Sequence, residues 1–132
     1  MENQFIPYGQ ALELKRLGFD EPCVASYSVE GRFDICEQNG IGWLTRTNSG
    51  LEKYPTACAA PLYQQAFRWF RDQYGYSYSI GRTNICVYHL MVQGTLLTNM
   101  IQDSKSYEEA ESKCIQEFID AAKQNRNDAT RV

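Results

Sequence analysis

The side chains best suited to hold a ligand are of two kinds, aromatic rings and guanidinium groups. Local patterns place five of them on strand faces, at edges or in turns: Trp43, Arg46, Trp69, Tyr78 and Arg82. A ring stacks on a planar molecule and an arginine pairs with an anion, so this mixture suits planar, anionic ligands such as nucleotides. The alternative is that these are scattered core and surface residues, and exposed rings also mark protein interfaces.

Catalytic chemistry has little support in the sequence. His89 is the only histidine, so schemes that need an imidazole depend on a single residue. It lies within an apolar strand pattern that suits a structural histidine, and Cys86, three residues earlier, points to the opposite face of such a strand. The adjacent carboxylates at positions 20–21 and 108–109 fit a turn and a helix N-terminus. We therefore expect no enzyme and no catalytic residue.

The cysteines predict reduced core thiols. They are odd in number, irregularly spaced and never arranged as C-x-x-C: Cys23, Cys36, Cys58, Cys86 and Cys114. Free cysteine is among the most buried residue types, and reduced thiols are typical of the cytoplasm. Structural zinc uses close ligand pairs that this chain lacks, and the glycines in the NGIG stretch fit no phosphate-binding loop. We expect no metal and no cofactor.

Composition and charge exclude further classes. The chain has 132 residues, 43% of them hydrophobic and 22% charged, which predicts one globular domain over 1–132 with flexible ends at 1–5 and 124–132. A net charge of −3 and no basic run longer than the pair at 15–16 argue against generic nucleic-acid binding. No stretch approaches the roughly 20 apolar residues that cross a bilayer, and the start lacks a signal-peptide layout. We expect no membrane association and a cytoplasmic location.

Helical spacing of apolar residues predicts three helices. The first covers residues 7–17, with Pro7 at its start and Gly18 at its end. The last covers 106–123 and opens with a capping box formed by Ser106 and Glu109.

The middle helix, residues 61–74 in the stretch APLYQQAFRWFRDQYG, carries most of the rings. Its apolar residues share one arc of the helix: Leu62, Tyr63, Ala66, Phe67, Trp69, Phe70 and Tyr74. Arg68 and Arg71 lie on the opposite arc, whereas a base-stacking surface needs its cations beside its rings. The stripe therefore predicts a core helix, with Trp69 at its edge as the ring most open to solvent.

The remaining segments predict antiparallel strands. Residues 23–29 and 32–36 form a hairpin around a turn at Glu30-Gly31, and residues 41–47 form a third strand. The segment 51–60 reads as a loop.

A second hairpin joins residues 76–82 to 84–94 through a turn at positions 82–83. The second of these strands is apolar at nearly every position, which is typical of a central strand covered on both faces, and 95–102 can add another strand. We therefore expect an α+β fold in which a mostly antiparallel sheet of about five strands packs against helices 61–74 and 106–123.

Three segments together resemble one family. FIPYGQALELKRLGFDEPC, APLYQQAFRWFRDQYG and KSYEEAESKCIQEFID are similar to small uncharacterised proteins encoded by bacteriophages and prophages of Bacteroides-type gut bacteria. The chain departs from them at Gly9, where the family has an acidic residue, and across 30–59. The resemblance implies a shared scaffold, but it implies no activity and no catalytic residue.

The resemblance implies a function through binding. Small accessory phage proteins without catalytic motifs act by occupying a host protein or a signalling nucleotide of a defence system, so we expect a non-catalytic phage protein that counters host defence by sequestration. A homo-oligomeric structural protein without a small ligand is the alternative. A small hydrolytic enzyme is the third hypothesis for its function.

Overall fold

A computed structural model of the chain describes residues 2–36, 38–39, 42–43, 45–76, 85–92, 95–103 and 107–130, with side chains over 3–36, 45–76 and 107–124. The chain forms two compact units, Met1–Tyr63 and Gln64–Val132. The expectation of a single domain is not tested by this division and stays a prediction.

Helix α1 (Tyr8–Leu17) forms as predicted, with Pro7 preceding it in an extended conformation. Gly18 follows with φ of 100°, a left-handed conformation in which a side chain is strained. Its N–H donates to the carbonyl of Lys15, and the next N–H, from Phe19, donates to that of Leu14. This pair of hydrogen bonds is a Schellman motif, which satisfies the last carbonyls of the helix and directs the chain back towards the core.

The first unit contains a three-stranded antiparallel sheet in the order β2-β1-β5. Strand β1 (Ala25–Tyr27) pairs with β2 (Phe33–Ile35), which confirms the first predicted hairpin. Its turn needs Gly31, because φ is 82° there and a Cβ would lie 2.9 Å from the ring of Tyr8. On its other side β1 pairs with β5 (Cys58–Ala59), so β1 is the central strand.

The prediction of one sheet of about five strands was wrong. The third predicted strand supplies only β4 (Gly42–Trp43), which pairs with β3 (Gln38–Asn39) in a separate two-stranded ladder. The true third strand of the sheet, β5, lies in the segment that was predicted to be a loop. Two residues are too few to show an alternating pattern, so neither change was visible in the sequence.

A residue near the chain start packs into the first unit. Phe5, assigned to a flexible end, is buried and forms a bridge with Leu62. Its ring lies 5.1 Å from that of Phe33. The hydroxyl of Tyr27 donates to the carbonyl of Ile6 at 2.7 Å and anchors the same segment.

Helix α2 (Tyr63–Tyr74) confirms the core-helix prediction. Its ring-bearing stripe is buried at Tyr63, Phe67, Trp69 and Phe70, while the opposite arc, with both arginines, is exposed. Leu62 is the exception, because it precedes the first helical residue and is 38% exposed.

The second unit continues with a long hairpin. Strand β6 (Ile85–Val92) pairs with β7 (Thr95–Asp103), with an irregularity in the register between Leu90 and Met91. The predicted pairing partner of β6, residues 76–82, lies mostly outside the described residues. Among the described residues β6 pairs with β7, and the expectation that β6 is a central strand stays a prediction.

Helix α3 (Tyr107–Thr130) extends beyond the predicted end near Lys123. The added residues contain no glycine or proline that would stop a helix. The predicted capping residue Ser106 lies outside the described residues.

An aromatic cluster joins α2 to α3 within the second unit. Phe118 of α3 lies 5.8 Å from the ring of Phe67 and 5.4 Å from that of Phe70, both in edge-on geometry. Tyr76 adds a ring 5.5 Å from Phe118 and stacks on Tyr74 at 5.3 Å. Such pairs contribute about 0.5–1.5 kcal/mol each beyond the area that they bury. Inward-facing rings of α2 therefore hold this unit together.

Asn48 connects three parts of the first unit. It is 5% exposed. Its Nδ2 donates to the carbonyl of Phe19 at 2.8 Å, and its Oδ1 accepts from the N–H of Ala59 at 2.9 Å. One amide thus satisfies a carbonyl after α1 and an N–H on the outer edge of β5.

We predict that Asn48→Ala lowers the free energy of unfolding by about 2–4 kcal/mol, because it leaves two buried backbone groups without partners. Urea denaturation measures the change as a lower midpoint with an unchanged slope. Ser49→Ala is the matched control, since the Ser49 hydroxyl is exposed and contacts only that of Thr47, and it should change stability by less than about 0.5 kcal/mol. Equal effects of the two variants would contradict the role of Asn48.

Candidate functional site

An open pocket of about 640 Å³ lies at the C-terminal end of α1. Its wall is formed by the end of the helix, the loop after it and the segment that leads to β5, with the following residues: Lys15, Arg16, Gly18, Phe19, Asp20, Asn48, Ser49, Glu52, Pro55 and Thr56. We call this the α1-end pocket. Its volume lies within the range of roughly 300–1,000 Å³ that is usual for ligand sites.

Side-chain to backbone bonds fix the two walls against each other. The Schellman turn places Asp20 opposite the short helical turn Ser49–Leu51, and its Oδ1 accepts from the N–H of Ser49 at 2.7 Å. Together with the amide of Asn48, this carboxylate holds the loop after α1 on the segment before β5. The pocket is therefore formed before any ligand binds, which lowers the entropy cost of binding.

Lys15 lies in the wall but its N–H donors are already used. Its Nζ donates to three backbone carbonyls, those of Leu51 at 3.1 Å, Tyr54 at 2.9 Å and Ala57 at 2.7 Å. An ammonium group has three N–H donors. All three are satisfied by the protein itself, so Lys15 stabilises the 51–57 turn rather than offering a donor to a ligand.

The remaining charges of the pocket favour a cationic group. Arg16 pairs with Glu13 at 3.2 Å on the surface of α1. The carboxylate of Glu52 is exposed and makes no ion pair with any side chain that the structure describes. With Asp20 beside it, the pocket presents two carboxylates and apolar surface from Pro55. A cation with an apolar stem, such as a lysine or arginine side chain of another protein, matches this surface.

Arg46, one of the predicted site residues, has its side chain at a pocket. Its backbone forms a two-bond bridge with Cys23, and its side chain is exposed. With Thr45, Thr47, Gly50 and Leu51 it lines a separate pocket of about 330 Å³. Thr47 is engaged there, since its hydroxyl accepts from the N–H of Gly50 at 3.2 Å.

The other predicted site residues are not brought together by the described structure. Trp43 is placed in β4, opposite Gln38, and its side chain lies outside the described set. Trp69, predicted to be the most open ring of α2, is only 6% exposed and packs 5.0 Å from Phe70. Tyr78 and Arg82 lie outside the described residues, so their predicted role stays a prediction.

Two further predictions concern β6, and both stay predictions. His89 lies in this strand opposite Asn99, and its side chain is outside the described set. Cys86, in the same strand, is likewise described only by its backbone. The four cysteines with described side chains confirm the prediction of reduced core thiols, since all are free and buried: Cys23, Cys36, Cys58 and Cys114.

Cys58 follows the pocket-lining residue Thr56 by two positions. It is fully buried in β5. Burial raises the pKa of its thiol from 9.0 to about 12, and the nearby charge of Lys15 opposes this increase. A thiol with such a pKa is protonated at neutral pH and is a poor nucleophile.

No protein-family model, curated protein or solved structure matches the chain. Within the described ranges, no helix has both the length and the apolar content to cross a bilayer. The same part of the chain contains no group of three or more potential metal-ligating side chains. The pocket therefore has to be interpreted from its own chemistry.

The sequence contained only indirect signals for the α1-end pocket. Gly18 indicated the helix end, and no pattern marked Asn48 as a residue that connects distant segments. Lys15 was noted as half of a basic pair. Contacts between residues about 30 to 40 positions apart form the pocket, and a linear pattern does not show them.

We predict that stability falls more steeply above pH 9 in the wild type than in Cys58→Ala. The folded-state pKa of Cys58 is raised, so the unfolded chain loses its thiol proton at a lower pH than the folded chain. The stabilisation is therefore complete below about pH 9 and is lost as the pH rises towards 12. Urea midpoints of both proteins between pH 8 and 11 measure this, and parallel curves would contradict it.

Proposed function

We propose that this protein is a non-catalytic accessory protein of phage origin that acts in the host cytoplasm by sequestering a host protein. The observation that carries the proposal is the α1-end pocket, which is preformed and presents the carboxylates of Asp20 and Glu52 beside apolar surface. It suits a basic side chain of a partner protein. Countering a host defence system in this way agrees with the resemblance to phage-encoded proteins.

The pocket chemistry favours a protein over a signalling nucleotide. A nucleotide needs donors for its phosphates. Of the two cations in the wall, Lys15 is satisfied by three carbonyls and Arg16 pairs with Glu13. The net charge of −3 adds a general repulsion for anions.

A homo-oligomeric interaction protein is the second candidate. It is favoured by two large apolar side chains that face solvent in the first unit, Val29 at 51% and Tyr54 at 53% exposure. Both lie close to Thr56, whose hydroxyl donates to the carbonyl of Val29 at 3.1 Å. Sedimentation of the purified protein across a hundredfold range of concentration separates this candidate from the first. A stable oligomer that Tyr54→Lys dissociates would favour it.

We predict that Glu52→Lys reduces recovery of the host partner roughly threefold to tenfold, because it replaces an attractive charge in the pocket with a repulsive one. Tagged wild type and variant are expressed in the bacterial host, purified in parallel and compared by quantitative mass spectrometry. Glu30→Lys makes the same charge change at an exposed turn residue outside the pocket, and it should leave recovery unchanged. If every host protein is recovered equally with all three baits, the proposal fails.

Nucleotide binding is tested separately by thermal shift. We predict that cyclic and ADP-ribose-type nucleotides at 1 mM leave the melting temperature of the wild type unchanged, since a ligand raises it only by binding the folded state. An increase that Arg46→Ala abolishes would instead assign nucleotide binding to the smaller pocket and contradict the choice of a protein partner.

A further inference from the structure

The outer edge of β2 has backbone groups that bond to no residue in the described part of the chain. Antiparallel pairs bond at alternate residues. The N–H of Ser28 donates to the carbonyl of Arg32, and the N–H of Cys36 donates to that of Val24, so residues 32, 34 and 36 bond towards β1. The backbone groups of the intervening residues, Phe33 and Ile35, consequently point away from the sheet. No residue that the structure describes bonds to them on that side.

Three of the four outward backbone groups on the opposite edge of the sheet are bonded within the unit. The same alternation makes residues 57 and 59 the outward-pointing residues of the β5 segment, because Ala60 donates to Ala25 across the pair. Asn48 accepts from the N–H of Ala59, Lys15 donates to the carbonyl of Ala57, and the N–H of Ala57 donates to Tyr54. Side chains and a turn thus bond to the β5 edge, while the β2 edge has the geometry to pair with a further strand.

We propose that the β2 edge binds an extended segment of another protein by strand addition, with the sequence pattern apolar-basic-apolar. Two residues of the added strand exchange backbone bonds with Phe33 and Ile35, and their side chains extend the apolar face on which Phe33 contacts Phe5. The residue between them lies opposite Asp34, which is exposed on the other face. A lysine or arginine there pairs with this carboxylate. The inference goes beyond the α1-end pocket and does not depend on it.

A second copy of this chain fits the edge poorly. Self-pairing that uses both Phe33 and Ile35 sets Asp34 directly opposite Asp34 of the other copy, and like charges in this position are destabilising. The register that pairs Phe33 with itself sets Ile35 opposite Gly31, whose φ of 82° is not that of a strand. The charge at the edge therefore selects a basic partner.

The test uses a capped heptapeptide, TTVRVTT, and its acidic counterpart TTVEVTT. We expect the basic peptide to bind about twofold to thirtyfold more tightly, since an attractive cross-strand pair replaces a repulsive one. On binding, amide hydrogen exchange measured by NMR should slow at Phe33 and Ile35 and stay unchanged at Asp34, whose N–H already bonds within the sheet. Methylation of both valine nitrogens in TTVRVTT should abolish binding.

A second part of the test reverses the charge at Asp34. Asp34→Lys should invert the preference so that the acidic peptide binds more tightly, whereas Glu30→Lys should keep the preference of the wild type. Equal affinities for the two peptides, or unchanged exchange at Phe33 and Ile35 with saturating peptide, would overturn the proposal. The proposal would also be overturned if exchange at these two amides slows without peptide as the protein concentration rises. In that case a second copy would occupy the edge.

Discussion

The structure of the first unit depends on satisfying backbone groups at the outer edge of a very short strand. Two residues of β5 cannot hold a loop in place through their ladder with β1 alone. Asn48 and Lys15 complete the bonding from the other side, where one carboxamide and one ammonium reach five backbone groups. Because buried backbone groups without partners are costly, these two polar side chains are as necessary to the fold as its apolar core.

This constraint also determines what the α1-end pocket can bind. The residue that holds the 51–57 turn is the lysine that would otherwise offer a cation to a ligand. Asp20 keeps its negative charge at the surface while one of its oxygens caps the opposite turn. Folding therefore uses the N–H donors of Lys15 and leaves the carboxylates of Asp20 and Glu52 at the pocket, which suit a basic partner.

Long elements could be predicted from the sequence, whereas very short strands could not. Helix α2 was predictable because twelve residues show a complete periodic pattern with a proline before and a glycine after. The hairpin of β1 and β2 was visible through its Glu30-Gly31 turn. The order of the sheet was not, because β3, β4 and β5 contain two residues each and are defined by distant partners. The pocket and the three hydrogen bonds of Lys15 could not be predicted either, because they also depend on residues distant in the sequence.

The two edges of the small sheet pose the same physical problem and have different solutions. An unpaired edge invites association with any strand, and proteins limit this risk by shortening the edge and placing charge on it. Strand β2 has both features, with three residues and an exposed carboxylate at its centre. Side chains like Asn48 would have closed it permanently, as they close β5. A charge instead discriminates among strands, since it disfavours acidic segments and stabilises a basic one. The edge is therefore better described as selective than as unprotected, and Asp34 is the residue that makes the difference.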